Sequence, residues 1–235
     1  MSHYNVAVFT RHGTEEEIAE LLEPYEEQFG KDEPYATEFE ANEDSEEVND
    51  ETGEHGYWRN PNAKWDFWSI GGRWRGTLKL IPGAKTGGYS PFRDWSQEGK
   101  TDREGYCDFA KARDCDLSMD SEVYERALRF WDIYVEQQDC SEEEYKRLVP
   151  PFCYTRKYYK DRFGNKQTFA VYKAAFGTYA FVTPDGTWYS EGEMGWFGCD
   201  NATNEGLRLY SNQFQEFLMK AVEDDLWITI VDCHI

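Results

Sequence analysis

Residues 60–76 gather an unusual set of side chains in a short segment: three tryptophans, one aspartate, two arginines and three glycines. Tryptophan offers a large apolar face, glycine lets a ligand approach the backbone, and arginine binds phosphate or carboxylate through two parallel bonds. Together these types favour a site for a small anionic, nucleotide-like ligand. The candidate ligand-binding residues of this segment are Trp65, Asp66, Trp68, Gly71, Gly72, Arg73 and Trp74.

A second segment, residues 193–198, repeats glycine beside tryptophan and adds the candidates Glu193 and Trp196. Two such segments in one chain favour the wall of a pocket. The alternative interpretation is structural, with Asp66 and Arg73 as a buried ion pair and the tryptophans in the core. The sequence leaves both interpretations open.

Histidine is scarce, and the four histidines include no i, i+4 pair of the kind that binds a metal on a helix. Asp232 lies two residues before His234 and therefore on the same face of a strand. A carboxylate in this position can orient an imidazole as a base or as a metal ligand. Asp232 and His234 are thus the candidate catalytic residues of an alternative function, a small metal-dependent hydrolase or transferase that also uses Asp66. The structural alternative is a polar contact at a strand end, and no residue is assigned to a metal ion or a cofactor.

The acidity of the chain is concentrated near its beginning. The formal net charge is −21, and residues 1–57 contain 18 acidic and 2 basic side chains, which gives −16 for this part alone. The run at residues 38–54 has almost no apolar residues, so it is typical of a solvated or disordered insertion. A third hypothesis makes this run a nucleic-acid mimic that inhibits a host protein. Free nucleic acid is a poor partner because its phosphates would be repelled.

Composition also bears on the compartment. No apolar run reaches the roughly 20 residues that cross a bilayer, and the first residues lack the pattern of a signal peptide. The six cysteines contain no Cys-x-x-Cys pair, and we interpret them as reduced thiols. The sequence therefore predicts a soluble intracellular protein.

The elements that must hold these residues follow from hydrophobic periodicity. Alternating and β-branched residues predict strands at residues 4–9, 70–80, 169–176, 178–182, 187–189 and 226–235. Capping boxes and helical spacing predict helices from Thr14, over residues 121–138, from Ser141 and over residues 204–221. We expect one α+β domain over residues 1–235, with a mainly antiparallel sheet that contains both terminal strands and with three to four helices packed on it. An acidic insertion at about 38–56 and a loop-rich segment at about 83–105 interrupt it.

Four segments of the chain resemble a family of uncharacterised proteins that tailed bacteriophages and their prophages carry. These segments are residues 4–9, 60–76, 193–198 and 231–235, in the order in which the family has them. The family often has Trp-Tyr where this chain has Phe67 and Trp68, which keeps the aromatic character. The resemblance implies a phage accessory protein made in the cytoplasm of an infected or lysogenic bacterium.

The residues and the resemblance together lead to one principal expectation. We expect an accessory protein that binds a small anionic, nucleotide-like ligand and thereby counteracts host defence signalling. Its partner is either that ligand or a host protein, with no membrane partner. The sequence does not identify the ligand or the oligomeric state.

Overall fold

The computed structural model describes residues 2–93, 101–195 and 199–235. Within them lie ten strands: β1 (His3–Thr10), β2 (Glu38–Ala41), β3 (Gly56–Arg59), β4 (Phe67–Ile70), β5 (Leu78–Lys79), β6 (Tyr106–Cys107), β7 (Phe109–Lys111), β8 (Ala180–Val182), β9 (Trp188–Ser190) and β10 (Trp227–His234). The same residues form six α-helices: α1 (Glu15–Leu22), α2 (Ser121–Phe130), α3 (Glu142–Leu148), α4 (Arg156–Phe163), α5 (Lys166–Ala174) and α6 (Asn204–Glu223). Among the residues described, none of these helices combines the length and the apolar character that a bilayer crossing requires.

The two ends of the chain supply the central strands of the main sheet. Its order is β4–β10–β1–β8–β9, and β7 also pairs with β10. β1 and β10 are antiparallel over their whole lengths, from His3 opposite His234 to Thr10 opposite Trp227. β1 and β8 run parallel, whereas the other pairs of this sheet are antiparallel. The predicted α+β fold, with a mainly antiparallel sheet that includes both terminal strands, is confirmed.

Side chains alternate between the two faces of the sheet and build an apolar cluster on each. On one face α6 inserts Phe214 against Phe9 and Ile228. On the other face α1 packs Ile18 against Val8. Because both faces are covered by helices, nearly every residue of β1 and β10 is buried.

The predicted count of three to four helices is too low, since the described residues form six. The strand expected at residues 169–176 is wrong, because most of this stretch belongs to α5. The side chain of Asn165 accepts a hydrogen bond from the backbone N–H of Thr168 and so caps that helix. Phe169 then packs with Phe130 of α2 in a third apolar cluster. A short apolar run fits the periodicity of a strand as well as that of a helix, and packing against α2 selects the helix.

Part of the acidic run forms a separate hairpin. β2 and β3 pair from Glu38 opposite Arg59 to Ala41 opposite Gly56. The guanidinium of Arg59 lies 2.8 Å from a carboxylate oxygen of Glu38 and 2.7 Å from one of Glu40. Most acidic side chains of the connecting loop, residues 42–55, are exposed. The expected solvated insertion therefore corresponds to this loop, while residues 38–41 are a strand.

The strand expected at residues 70–80 is interrupted after β4. Gly71 and Gly72 have φ angles of +76° and +47°, and a 3-10 turn over Gly72–Trp74 follows. This backbone conformation favours glycine, so the glycine pair ends the strand and turns the chain toward β5. In the loop-rich segment expected at about 83–105, residues 94–100 lie outside the described residues.

Candidate functional site

Two histidine–aspartate pairs meet where β1, β10 and the start of β4 come together. Nδ1 of His3 lies 2.9 Å from Oδ1 of Asp232, and Nδ1 of His234 lies 2.5 Å from Oδ1 of Asp66. The rings of His3 and His234 stand edge to face, with their centroids 4.7 Å apart. Asp232 and His234 share a strand face, but each hydrogen-bonds a residue from elsewhere in the chain. The sequence did not single out His3 as part of this group.

Asp232 is also bound by the turn that follows β4, residues 71–74, which we call the glycine turn. Its side chain is 3% exposed, and Oδ2 accepts a hydrogen bond of 2.9 Å from the backbone N–H of Arg73. A Cβ on Gly72 would lie 2.4 Å from the same oxygen, so only glycine fits there. The contribution of Arg73 to this carboxylate is thus its backbone. Its own side chain is exposed, and so is that of Asp66, which pairs with His234. The buried Asp66–Arg73 ion pair considered from the sequence is therefore wrong.

Gly71 approaches a second buried carboxylate, Asp108. A Cβ on Gly71 would lie 2.7 Å from this group. Asp108 accepts hydrogen bonds from the backbone N–H groups of Gly76 and Ser90, at 2.7 and 3.0 Å, and from the guanidinium of Arg75 at 3.2 Å. Burial raises the pKa of Asp108, while these backbone donors and the charge of Arg75 oppose the shift. The side chain of Arg75 therefore ties residues 71–76 to the buried carboxylate of Asp108.

The three tryptophans of residues 60–76 lie on both faces of the sheet. Trp65 is buried in the cluster beneath α1, where its Nε1 donates to the carbonyl of Leu22 at 3.2 Å. Trp68 packs against the same cluster, whereas Trp74 packs against the cluster beneath α6. They therefore do not line one pocket together.

The shallow pocket beside Trp65 and Trp68 is acidic. It has a volume of about 420 Å³, and its carboxylates come from Glu20, Glu23, Glu26 and Asp66. Carboxylates in such a concave site repel an anion. This pocket does not match the anionic ligand expected from the sequence.

The second segment lies apart from the glycine turn. A carboxylate oxygen of Glu193 is 3.7 Å from Nζ of Lys64, and the hydroxyl of Ser2 donates to the carbonyl of Gly195 at 2.7 Å. Residues 193–195 thus lie beside residues 61–64 and the chain ends, in a pocket that the turn at Gly72–Trp74 does not line. The candidate Trp196 lies outside the described residues.

A larger cleft opens between α5 and α6, and residues 175–179, which lead into β8, also line it. Its volume is about 700 Å³, within the range typical of small-molecule sites. The polar residues that line it include Asn5, Tyr172, Lys173, Glu191 and Arg208. We call it the α5–α6 cleft.

A buried polar network forms one wall of the α5–α6 cleft. Glu191 accepts hydrogen bonds from the hydroxyl of Tyr172 at 2.8 Å and from the guanidinium of Arg162 at 3.2 Å. Arg162 also binds Asp200 at 3.1 Å. Burial raises the pKa of Glu191, while the bond from Tyr172 and the charge of Arg162 oppose the shift. Glu191 thus pairs with Arg162, whose guanidinium it shares with Asp200.

Two cationic side chains of the cleft have no such partner. Lys173 and Arg208 are accessible to solvent, and within the described residues neither forms an ion pair. The pKa of Lys173 is lowered, chiefly because the cleft walls desolvate its ammonium, and Glu191 opposes this shift. The ammonium also lies 5.7 Å from the centre of the Tyr172 ring. The α5–α6 cleft therefore presents positive charge in a strongly acidic chain.

The α5–α6 cleft was not predicted from the sequence because its residues are far apart along the chain. Its polar groups come from β1, α5, α6 and the residue after β9, and they form no recognisable sequence motif. Treating residues 169–176 as a strand also placed Tyr172 and Lys173 on opposite faces of a sheet. Glu191, two residues before the candidate Glu193, was the nearest signal in the sequence.

No protein-family model, no curated protein and no solved structure matches this chain.

Proposed function

We propose that this protein is a binding protein that captures a small anionic, nucleotide-like ligand in the α5–α6 cleft. The observation that carries the proposal is the charge arrangement there. Lys173 and Arg208 line the cleft without an ion pair among the described residues, whereas Glu191 pairs with Arg162. An anionic group would complete the pairing that the protein leaves open.

The remaining walls suit a planar ligand with polar edges. Tyr172 adds aromatic surface, and aromatic rings stack on nucleobases. Asn5 accepts a hydrogen bond from the backbone N–H of Tyr179 through Oδ1 at 2.9 Å. Its amide nitrogen makes no hydrogen bond within the described residues, so it can donate to a ligand. Charge, stacking surface and a directional donor thus meet in one cavity.

The ligand class is the one expected from the sequence, but the proposed site is the α5–α6 cleft and not the glycine turn. The tryptophans near the glycine turn belong mainly to the two cores, and the pocket beside them is acidic. The α5–α6 cleft is the better location because its available charges are positive.

The resemblance to phage accessory proteins supports a biological setting. In that setting the protein is made in the cytoplasm of an infected or lysogenic bacterium and sequesters a nucleotide signal of host defence. A non-catalytic sink suffices for this role, since removing the free signal is enough to weaken the response.

Thermal denaturation with nucleotides, cyclic dinucleotides and ADP-ribose derivatives tests the proposal. A ligand present at 100 times its Kd stabilises the folded state by about 2.7 kcal/mol, which raises the Tm of a chain of this size by roughly 5–10 °C. Absence of any shift across this panel, with every ligand at millimolar concentration, would contradict it.

Titration calorimetry with the ligand that gives the largest shift locates the site. Lys173→Gln and Arg208→Gln should each weaken binding by roughly tenfold or more, because each removes one charge-assisted contact. Lys220→Gln is the matched control, since Lys220 is an exposed lysine of α6 that does not line the cleft. Equal effects from all three variants would indicate a general loss of charge rather than a site.

A further inference from the structure

The imidazoles of His3 and His234 lie opposite each other at one end of the β1–β10 pair. Ser2 and Ile235 exchange both backbone hydrogen bonds, at 2.8 and 3.0 Å. In antiparallel pairing the next pair, His3 and His234, is then a non-hydrogen-bonded one, in which opposite side chains approach most closely. The centroid distance of 4.7 Å agrees with this geometry.

The carboxylates fix which nitrogen of each ring carries a proton. An ionised carboxylate can only accept, so Nδ1 of His3 donates to Asp232 and Nδ1 of His234 donates to Asp66. In the neutral rings this leaves the lone pair on Nε2. Neither Nε2 makes a hydrogen bond within the described residues, and the side chains of His3 and His234 are 21% and 14% exposed. Each ring thus offers one unprotonated nitrogen, and part of each side chain is reachable from solvent.

We propose that His3 and His234 together bind one divalent transition-metal ion through their Nε2 atoms. A histidine that ligates a metal usually donates its other ring N–H to a carboxylate, and both histidines have this arrangement. Within the described part of the chain no three His, Cys, Asp or Glu side chains are grouped to hold a metal. Water therefore completes the coordination, and the ion is exchangeable. Imidazole nitrogen selects Zn²⁺ or Co²⁺ over Mg²⁺ and Ca²⁺, which prefer oxygen.

Metal binding is tested on the full chain without an affinity tag, with Zn²⁺ in calorimetry and Co²⁺ in absorption spectroscopy. Cu²⁺ and Ni²⁺ are avoided, because backbone nitrogens near a histidine can chelate them in a square-planar site. Wild type should take up one equivalent of Zn²⁺. His3→Gln and His234→Gln should each abolish or weaken uptake more than tenfold. Asp66→Asn should weaken it about tenfold, since it releases the orientation of His234 without removing a ligand.

The other two histidines provide matched controls. His12 and His55 are exposed and lie outside this pair, so His12→Gln and His55→Gln should leave Zn²⁺ affinity unchanged. The double variant His3→Gln/His234→Gln gives the background from exposed thiols such as Cys199.

A measurement on the unmutated protein keeps the proposal testable if a variant fails to fold. Co²⁺ should shift or broaden the imidazole NMR signals of His3 and His234 before those of His12 and His55. The proposal would be overturned if wild type took up no more Zn²⁺ than the double variant, or if Co²⁺ affected only other residues. The two histidine–aspartate pairs would then have a structural role only.

Discussion

Gly72 lies so close to Asp232 that a Cβ on residue 72 would come within 2.4 Å of a carboxylate oxygen. Its φ of +47° adds a backbone conformation that other residues seldom adopt. This contact fixes the turn after β4 against the carboxylate that also holds His3.

Gly72→Ala should therefore destabilise the protein by roughly 2–5 kcal/mol, the sum of backbone strain and overpacking. Gly53→Ala is the control, since Gly53 has a φ of +72° with no atom within 4 Å of an added Cβ. It should cost only about 1–2 kcal/mol. Urea denaturation measures both, and equal losses would show that the overlap with Asp232 is relieved without cost.

Arg73→Lys separates the glycine turn from the α5–α6 cleft as the binding site. Lysine keeps the charge but loses the planar fork of arginine. Because the proposed ligand contacts Lys173 and Arg208, we expect unchanged ligand affinity, with a stability change of no more than about 1 kcal/mol at this exposed position. Calorimetry decides the matter, and a large loss of affinity would place the ligand at the turn.

Tyr172→Phe should have an effect on stability that depends on pH. The folded-state pKa of Glu191 is raised, so the stability that its protonated form contributes is present at low pH and is lost as the pH rises through that pKa. The hydroxyl of Tyr172 supports the ionised form. Removing it should cost about 1.5–3 kcal/mol at a pH above the raised pKa of Glu191 and less at a pH below it.

Denaturant titrations at several pH values give this profile. Tyr145→Phe is the control, because the hydroxyl of this exposed tyrosine makes no hydrogen bond within the described residues. A loss for Tyr172→Phe that is the same at both pH values would mean that Glu191 does not change its charge over this range.

Replacing residues 43–54 by a two-residue Asn-Gly turn tests the acidic loop. The turn closes β2 onto β3, and the main sheet is untouched. We expect an unchanged main-sheet fold and unchanged ligand affinity in the cleft, as measured by circular dichroism and calorimetry. A variant that folds and binds ligand but no longer counteracts host defence would instead support the nucleic-acid-mimic hypothesis.

The sequence by itself determined the elements whose patterns are long and local. The apolar, β-branched stretches at both ends predicted β1 and β10, and the side chain of Thr14, which accepts from the N–H of Glu17, caps α1 as the capping box indicated. In each case neighbouring residues carry the information.

Only the tertiary structure decided which distant groups meet. The partner of Asp232 is His3, 229 residues away, because strand pairing places the chain ends side by side. The helix α5 is selected by packing against α2, and it brings Tyr172 to Glu191. Hydrogen-bond partners, burial and the charge left unpaired in a cleft depend on that packing, and no local pattern encodes them.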